Sequence, residues 1–175
     1  MAGLVNNTSD LVVHPFEPIF NARSRILILG TMPSRISRQQ GFYYGHPQNR
    51  FWPLLSAILQ VSEPRDIESK RRMLLQHGIA LWDVLQQCEI QGSQDSSIRQ
   101  PEANDLAWLL GQSPIRKIFA NGQAAAELYR KFCQNLTGKP CLGLPSTSPA
   151  NNRWSLDALF QAWQPVLLPE LLIED

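Results

Sequence analysis

A chain of 175 residues is long enough to bury one continuous hydrophobic core. Its 43% hydrophobic and 18% charged composition is that of a soluble globular domain and excludes a disordered or fibrous one. A formal charge of +1 excludes a histone-like grip on nucleic acid, but leaves room for the local basic rim that an enzyme acting on DNA needs.

The N-terminus, MAGLVNNTSD, has no basic n-region and no apolar h-region, so no signal peptide is expected. No apolar run approaches the length of a membrane span. Residues 24–30 (SRILILG) are a short apolar run closed by glycine, the pattern of a strand buried on both faces of a parallel sheet. Residues 79–85 (IALWDVL), 117–121 (KIFAN) and 141–144 (CLGL) repeat it. Helices are predicted between and after them, over residues 49–59, 65–77, 103–110, 123–133 and 155–163. Pro53 falls in the first turn of the first of these, where proline is tolerated. In the last, Leu156, Leu159, Phe160 and Trp163 share a face. Residues 91–101 (QGSQDSSIRQP) read as a polar surface loop, and the end from Pro169 to Asp175 as a frayed terminus. Alternating strands and helices predict a single α/β domain over residues 1–175, a three-layer α/β/α sandwich around a four-stranded parallel sheet. There is no internal repeat and no low-complexity tract.

Cys88, Cys133 and Cys141 are odd in number and lack C-x-x-C spacing. They read as reduced thiols of a cytoplasmic protein, and neither a metal nor an iron–sulfur cluster is expected.

Ligands of open parallel sheets bind at the carboxyl ends of the strands. That rule selects the segment after each strand, and two of these segments are the most unusual in the chain. The first, residues 30–52, reads GTMPSRISRQQGFYYGHPQNRFW. Gly30, Thr31, Met32, Pro33 and Ser34 form a tight exit from the strand, suited to holding a base edge or a water on backbone amides. Met32 supplies no acid, base or nucleophile. Phe42, Tyr43 and Tyr44, between Gly41 and Gly45, are either a core staple or a platform on which a planar base stacks. His46 precedes Pro47 in the same crevice. Asn49 stands where the chain turns helical, as an N-cap or as an amide that reads a base edge or orients water. Asn121, at the end of its own strand, is a second candidate amide.

The second segment, residues 145–155 (PSTSPANNRWS), sets small hydroxyls between two prolines. Ser146, Thr147 and Ser148 suit a rigid loop bonding phosphates, and Arg153 adds a charge for them. Asn151, Asn152 and Arg153 are candidates to fill the space left by a displaced base. Ser155 alone is adequately explained as a helix cap.

The two segments together resemble the signature regions of the uracil-DNA glycosylase superfamily. GTMPS with YYGHPQNRFW looks like its first motif and extension, and LPSTSPANNRWS like the loop that enters the minor groove. The resemblance is closest to the hypoxanthine-DNA (deoxyinosine) glycosylase branch, family 6, and runs in order over most of the chain. It implies monofunctional N-glycosidic hydrolysis without metal or cofactor, acting on double-stranded DNA that contains a deaminated base. Related branches carry Asp or Asn in the first motif where this chain has Met32. Carried over by motif, the catalytic asparagine falls on Asn49. No lysine stands in either motif, which argues against a Schiff-base lyase step. A monomer in the cytoplasm, nucleoid-associated in a prokaryote, is the corresponding expectation. The alternatives are a uracil or G·T/G·U mismatch glycosylase, or a nucleotide-binding module of the same fold without the chemistry. A Rossmann oxidoreductase is disfavoured because no G-x-G-x-x-G follows the first strand.

Overall fold

The computed structural model describes residues 8–173. Most of the N-terminal segment in which no leader is expected, and residues 174–175, lie outside them. The strands are β1 (Asp10–Val13), β2 (Ile26–Gly30), β3 (Ile79–Asp83), β4 (Leu85–Ile90), β5 (Arg99–Ala103), β6 (Lys117–Asn121) and β7 (Cys141–Leu144). The helices are α1 (Arg35–Gln40), α2 (Phe51–Leu59), α3 (Ile67–Gln76), α4 (Leu106–Gln112), α5 (Gln123–Phe132), α6 (Gln134–Thr137) and α7 (Leu156–Leu172).

Four strands form a parallel sheet in the order β3-β2-β6-β7, flanked by helices, as the apolar runs predict. Every residue of β2 and β3 is buried, which is why these strands read as continuous apolar runs rather than alternating ones. From β2 the chain moves to one side, to β3, and then crosses back to β6 and β7 on the other. Right-handed crossovers in opposite directions place helices on opposite faces. They also leave a topological switch point between β2 and β6, the crevice in which ligands of such sheets sit.

A second sheet, antiparallel and ordered β1-β4-β5, was not anticipated. The run 79–85 is not one strand. The chain leaves the parallel sheet at Val84 and enters the other at Leu85. Asn104 clamps this corner, its Nδ2 donating to the carbonyls of Asp83 (2.9 Å) and Leu85 (3.1 Å). Residues 91–101 are correspondingly not a plain loop: a 3-10 turn at Asp95–Ser97 leads into β5.

The C-terminal end is likewise helical where fraying was expected. Helix α7 continues through Pro165 and Pro169 to Leu172. Both prolines are exposed, so the carbonyls they leave without an N–H donor face water. On the opposite side Leu159, Trp163, Leu167 and Leu171 recur every four residues and are buried. Trp163 Nε1 also donates to Pro145 O (2.9 Å), tying this helix to the loop after β7.

Candidate active site

The carboxyl ends of β2, β3 and β6 converge on one pocket, with Gly30, Asp83 and Asn121 in its wall. Met32, Tyr44 and Asn49 come from the first unusual segment, and Ser146, Thr147 and Ser148 from the second. Its volume is about 120 Å³. A closed cavity of roughly 150 Å³ holds a benzene ring, so this pocket is of the order of one small ring, and Ser146 and Ser148 join it to a broader groove.

Asn49 and the loop after β7 are joined by one chain of hydrogen bonds whose directions are all determined. Thr147 N–H donates to Asn121 Oδ1 (3.0 Å), which fixes the Asn121 amide. Asn121 Nδ2 donates to Thr147 Oγ1 (2.9 Å), so the Thr147 hydroxyl proton goes on to Asn49 Oδ1 (2.9 Å). Phe51 N–H donates to the same oxygen (2.9 Å). Both acceptor sites of the Asn49 carbonyl are therefore taken, which leaves its Nδ2–H groups as the free polar end of a side chain that borders the pocket. Asn49 is not the helix N-cap read from the sequence: Arg50 holds that position, and Asn49, one residue earlier, accepts the N–H of the first helical residue, Phe51. Thr147 is wholly buried and its hydroxyl is committed to this chain, so it does not take the phosphate contact expected of it. Ser146 and Ser148 border both the pocket and the broader groove beside it.

Arg50, which the sequence did not single out, holds the two segments together. Its guanidinium donates to the carbonyls of Thr147 (3.3 Å), Ser148 (2.7 Å), Asn151 (3.0 Å) and Trp154. Its backbone N–H also donates to Thr147 O (3.1 Å). Asn151 Nδ2 closes the loop on Ser146 O (2.9 Å), while Asn152 and Arg153 are exposed at its tip.

The aromatic cluster divides. Phe42 and Tyr43 are buried, 5% and 2% exposed, and serve as the core staple. Phe42 stacks on Trp52, and the Tyr43 hydroxyl donates to Glu17 O (2.9 Å). Tyr43 borders the pocket with its hydroxyl already given to Glu17, and Tyr44 borders it too. Tyr44 adopts a left-handed conformation at φ 52°, and its ring stacks on Phe51 at 4.1 Å between centroids. Of the three rings of the expected platform, Tyr43 and Tyr44 border the pocket and Phe42 does not, and the Tyr44 ring already stacks on Phe51. His46 lies outside the pocket, its Nδ1 accepting from Gln48 N–H (3.0 Å) beside a separate groove with Trp52 and Lys70. Thr31 is buried and donates to Asp95 Oδ2 (3.3 Å). Ser34 caps α1 through its hydroxyl, while Met32 and Pro33 complete the wall as apolar groups.

Asp83 and His14 were missed. His14 follows β1, and its Nε2 donates to Asp83 Oδ2 at 2.7 Å, both side chains nearly inaccessible. The signal in the sequence was the aspartate inside the apolar run IALWDVL; nothing marked His14. Asp95 is exposed as a residue, but its carboxyl is crowded at the pocket edge. Desolvation and the neighbouring Asp83 raise its pKa, and the Thr31 hydrogen bond lowers it in part. Burial likewise raises the Tyr44 hydroxyl far above the ordinary phenol range, with Asp83 adding to the effect. It is a proton donor at any physiological pH.

Among the described residues no lysine lines the pocket, and no group of three His, Cys, Asp or Glu is arranged to hold a metal ion. Among them, too, no helix is long and apolar enough to cross a membrane.

The family model for the uracil DNA glycosylase superfamily matches residues 17–167. The chain belongs to the uracil DNA glycosylase superfamily. Two relatives described as hypoxanthine DNA glycosylase are similar along most of its length. One, from Methanosarcina acetivorans, is 37% identical over 83% of this chain and 92% of its own. The other, from Methanosarcina barkeri, is 31% identical over 85% and 93%. A solution NMR structure of a candidate uracil DNA glycosylase from Methanosarcina acetivorans superposes with a TM-score of 0.78 at 33% identity. That match covers 92% of this chain and 99% of the other. Within the superfamily, the two segments that carry the resemblance are the two that the Thr147 hydrogen bonds and the Arg50 guanidinium lock together around the pocket.

Proposed function

We propose that this protein is a monofunctional DNA glycosylase that releases hypoxanthine from deoxyinosine in double-stranded DNA. The observation that carries the reading is the Asn49 side chain at the pocket wall, its carbonyl held by Thr147 and Phe51 so that only its N–H groups remain to meet a substrate. The description of both Methanosarcina relatives as hypoxanthine DNA glycosylase supports the choice of base.

In this reading the deaminated nucleotide is flipped out of the stack into the pocket. The bond between the base nitrogen and C1′ breaks, its electron pair leaving with the base. Water adds its oxygen to C1′, and its released proton restores a neutral base in solution. Asn49 donates hydrogen bonds to the leaving base or to the water oxygen. An amide donor is no general base, so rate comes from position and from stabilising leaving-group charge. Ser146, Ser148 and Arg153 face the DNA backbone, and Asn151 and Asn152 border the vacated stack. The chain acts as a monomer.

The test is single-turnover base release from duplexes carrying inosine, uracil or mismatched thymine, followed by alkali cleavage at the abasic site. Hypoxanthine should be released fastest, and Asn49→Ala should slow that release by about 100-fold or more. Full activity of Asn49→Ala would refute the assignment of the amide. A second reading, release of uracil or mismatched thymine, draws on the description of the NMR relative. It wins if those duplexes react first, and a module without the chemistry wins if no duplex yields abasic sites.

A further inference from the structure

Two oxygen atoms at the pocket, one of Asp83 and one of Tyr44, are given no role in the cleavage described above. Asp83 ends β3 beside Gly30, its register partner on β2. His14 holds one carboxylate oxygen, Oδ2, and leaves Oδ1 over Gly30. The gap is tight, since a Cβ on Gly30 would stand 2.2 Å from that oxygen. The same Cβ would stand 3.0 Å from the Tyr44 hydroxyl, so the two oxygens are neighbours above one glycine. The Tyr44 hydroxyl is buried and makes no well-formed hydrogen bond; its one polar neighbour, the Asn121 amide, is within loose reach but gives its N–H to Thr147. A buried hydroxyl without a partner is costly and points to a ligand that supplies one.

A carboxylate oxygen only accepts, and a phenol that keeps its proton donates. Side by side they form an acceptor–donor pair. Its complement is a ring N–H next to a carbonyl, the lactam that deamination creates in a base. Hypoxanthine has this edge as N1–H and O6. Adenine has the reverse, an unprotonated N1 beside an amino group, and would set its N1 against the carboxylate, acceptor against acceptor.

We propose that Asp83 and Tyr44 read the lactam edge of the flipped base, Asp83 Oδ1 accepting from its ring N–H and Tyr44 donating to its carbonyl. His14 is the positioning residue that turns the carboxylate to this task, and Gly30 is the residue whose missing side chain leaves room for it. The inference rests on the glycosylase reading and deepens it, from excision to the means of telling hypoxanthine from adenine.

The test compares the wild type with Asp83→Asn and Tyr44→Phe on duplexes carrying hypoxanthine or unsubstituted purine. Purine has neither the N–H nor the carbonyl. The ratio of single-turnover rates is read first, and the ratio of affinities for uncleavable 2′-fluoroarabino forms of both nucleotides second. The wild type should favour hypoxanthine in both. Tyr44→Phe should cut that preference about tenfold and Asp83→Asn about 100-fold, because hydrogen bonds to charged groups are worth more. In Asp83→Asn the His14 donor keeps the amide oxygen, so an N–H faces the pocket in place of an acceptor.

A merely structural defect would slow both substrates alike and leave the ratio unchanged, and that result would overturn the inference. Tyr44→Phe removes no well-formed hydrogen bond in the free protein, only a loose contact with Asn121, so it keeps the test decisive if Asp83→Asn folds poorly. An active wild type whose variants keep its preference sinks the lactam reading alone. A wild type that releases neither base sinks the glycosylase reading, and the inference with it.

Discussion

Replacing Thr147 by valine isolates the hydrogen-bond chain that orients Asn49. The two side chains have nearly the same shape, but valine neither accepts from Asn121 Nδ2 nor donates to Asn49 Oδ1. Asn121 is then left with a buried amide nitrogen that lacks this partner, at a cost of about 1–3 kcal/mol. Asn49 keeps the Phe51 N–H on its oxygen and loses less. A total near 2 kcal/mol lowers the melting temperature by about 4–8 °C for a chain of this size. The larger effect is on catalysis, because an amide free to turn loses the donor geometry it needs. Excision should fall about 10- to 100-fold. Thr147→Ser, which keeps the hydroxyl, should restore the rate. The decisive comparison adds Asn49→Ala, after which Thr147→Val should slow excision no further. If Thr147→Val slows the Asn49→Ala enzyme as much as the wild type, the hydroxyl does not act through Asn49 and the reasoning fails.

Arg50→Lys keeps the charge but not the fork that reaches four loop carbonyls. It should destabilise the fold by about 2–3 kcal/mol, and hydrogen exchange should accelerate selectively over residues 145–154. Unchanged exchange there would show that the loop holds without the guanidinium. Asp95→Asn should act in the opposite direction. Because the folded protein raises the pKa of Asp95, it binds that proton more tightly than the unfolded chain does. Asp95 therefore costs no stability below the ordinary carboxylate pKa, and its full cost appears as pH rises through the raised value. The melting temperature of Asp95→Asn relative to the wild type should climb between about pH 4 and pH 7, and a difference that shrinks over that range would contradict the direction of the shift.

The parallel sheet was legible because its strands are buried on both faces, which leaves an unbroken apolar run in the sequence. The antiparallel sheet left no comparable mark. In β5, RQPEA, no residue is fully buried, and no apolar period emerges. Periodicity is also blind to a chain that changes sheets without changing composition, as residues 79–85 do at Val84. The prolines of α7 misled for a related reason. Proline ends a helix when the carbonyl it abandons is buried, and the exposure of Pro165 and Pro169 becomes known only when the core face is known.

The site divides along the same line. Residues close in sequence, such as Met32 with Pro33 or Ser146 with Ser148, could be assigned together because one turn delivers them together. Asn49 is held in part by Thr147, 98 positions away, and Asp83 by His14, 69 positions away. Pairings at that range are products of topology, which local pattern does not encode. One trace of the second pairing was nonetheless present. A carboxylate within an apolar strand cannot be buried without a partner, since desolvating an isolated charge costs more than the strand could recover. The aspartate in IALWDVL therefore required a donor from elsewhere in the chain before any coordinates were known. His14 meets one of its oxygens. The other lies over Gly30 at the pocket, where the lactam contact proposed above would give it a partner.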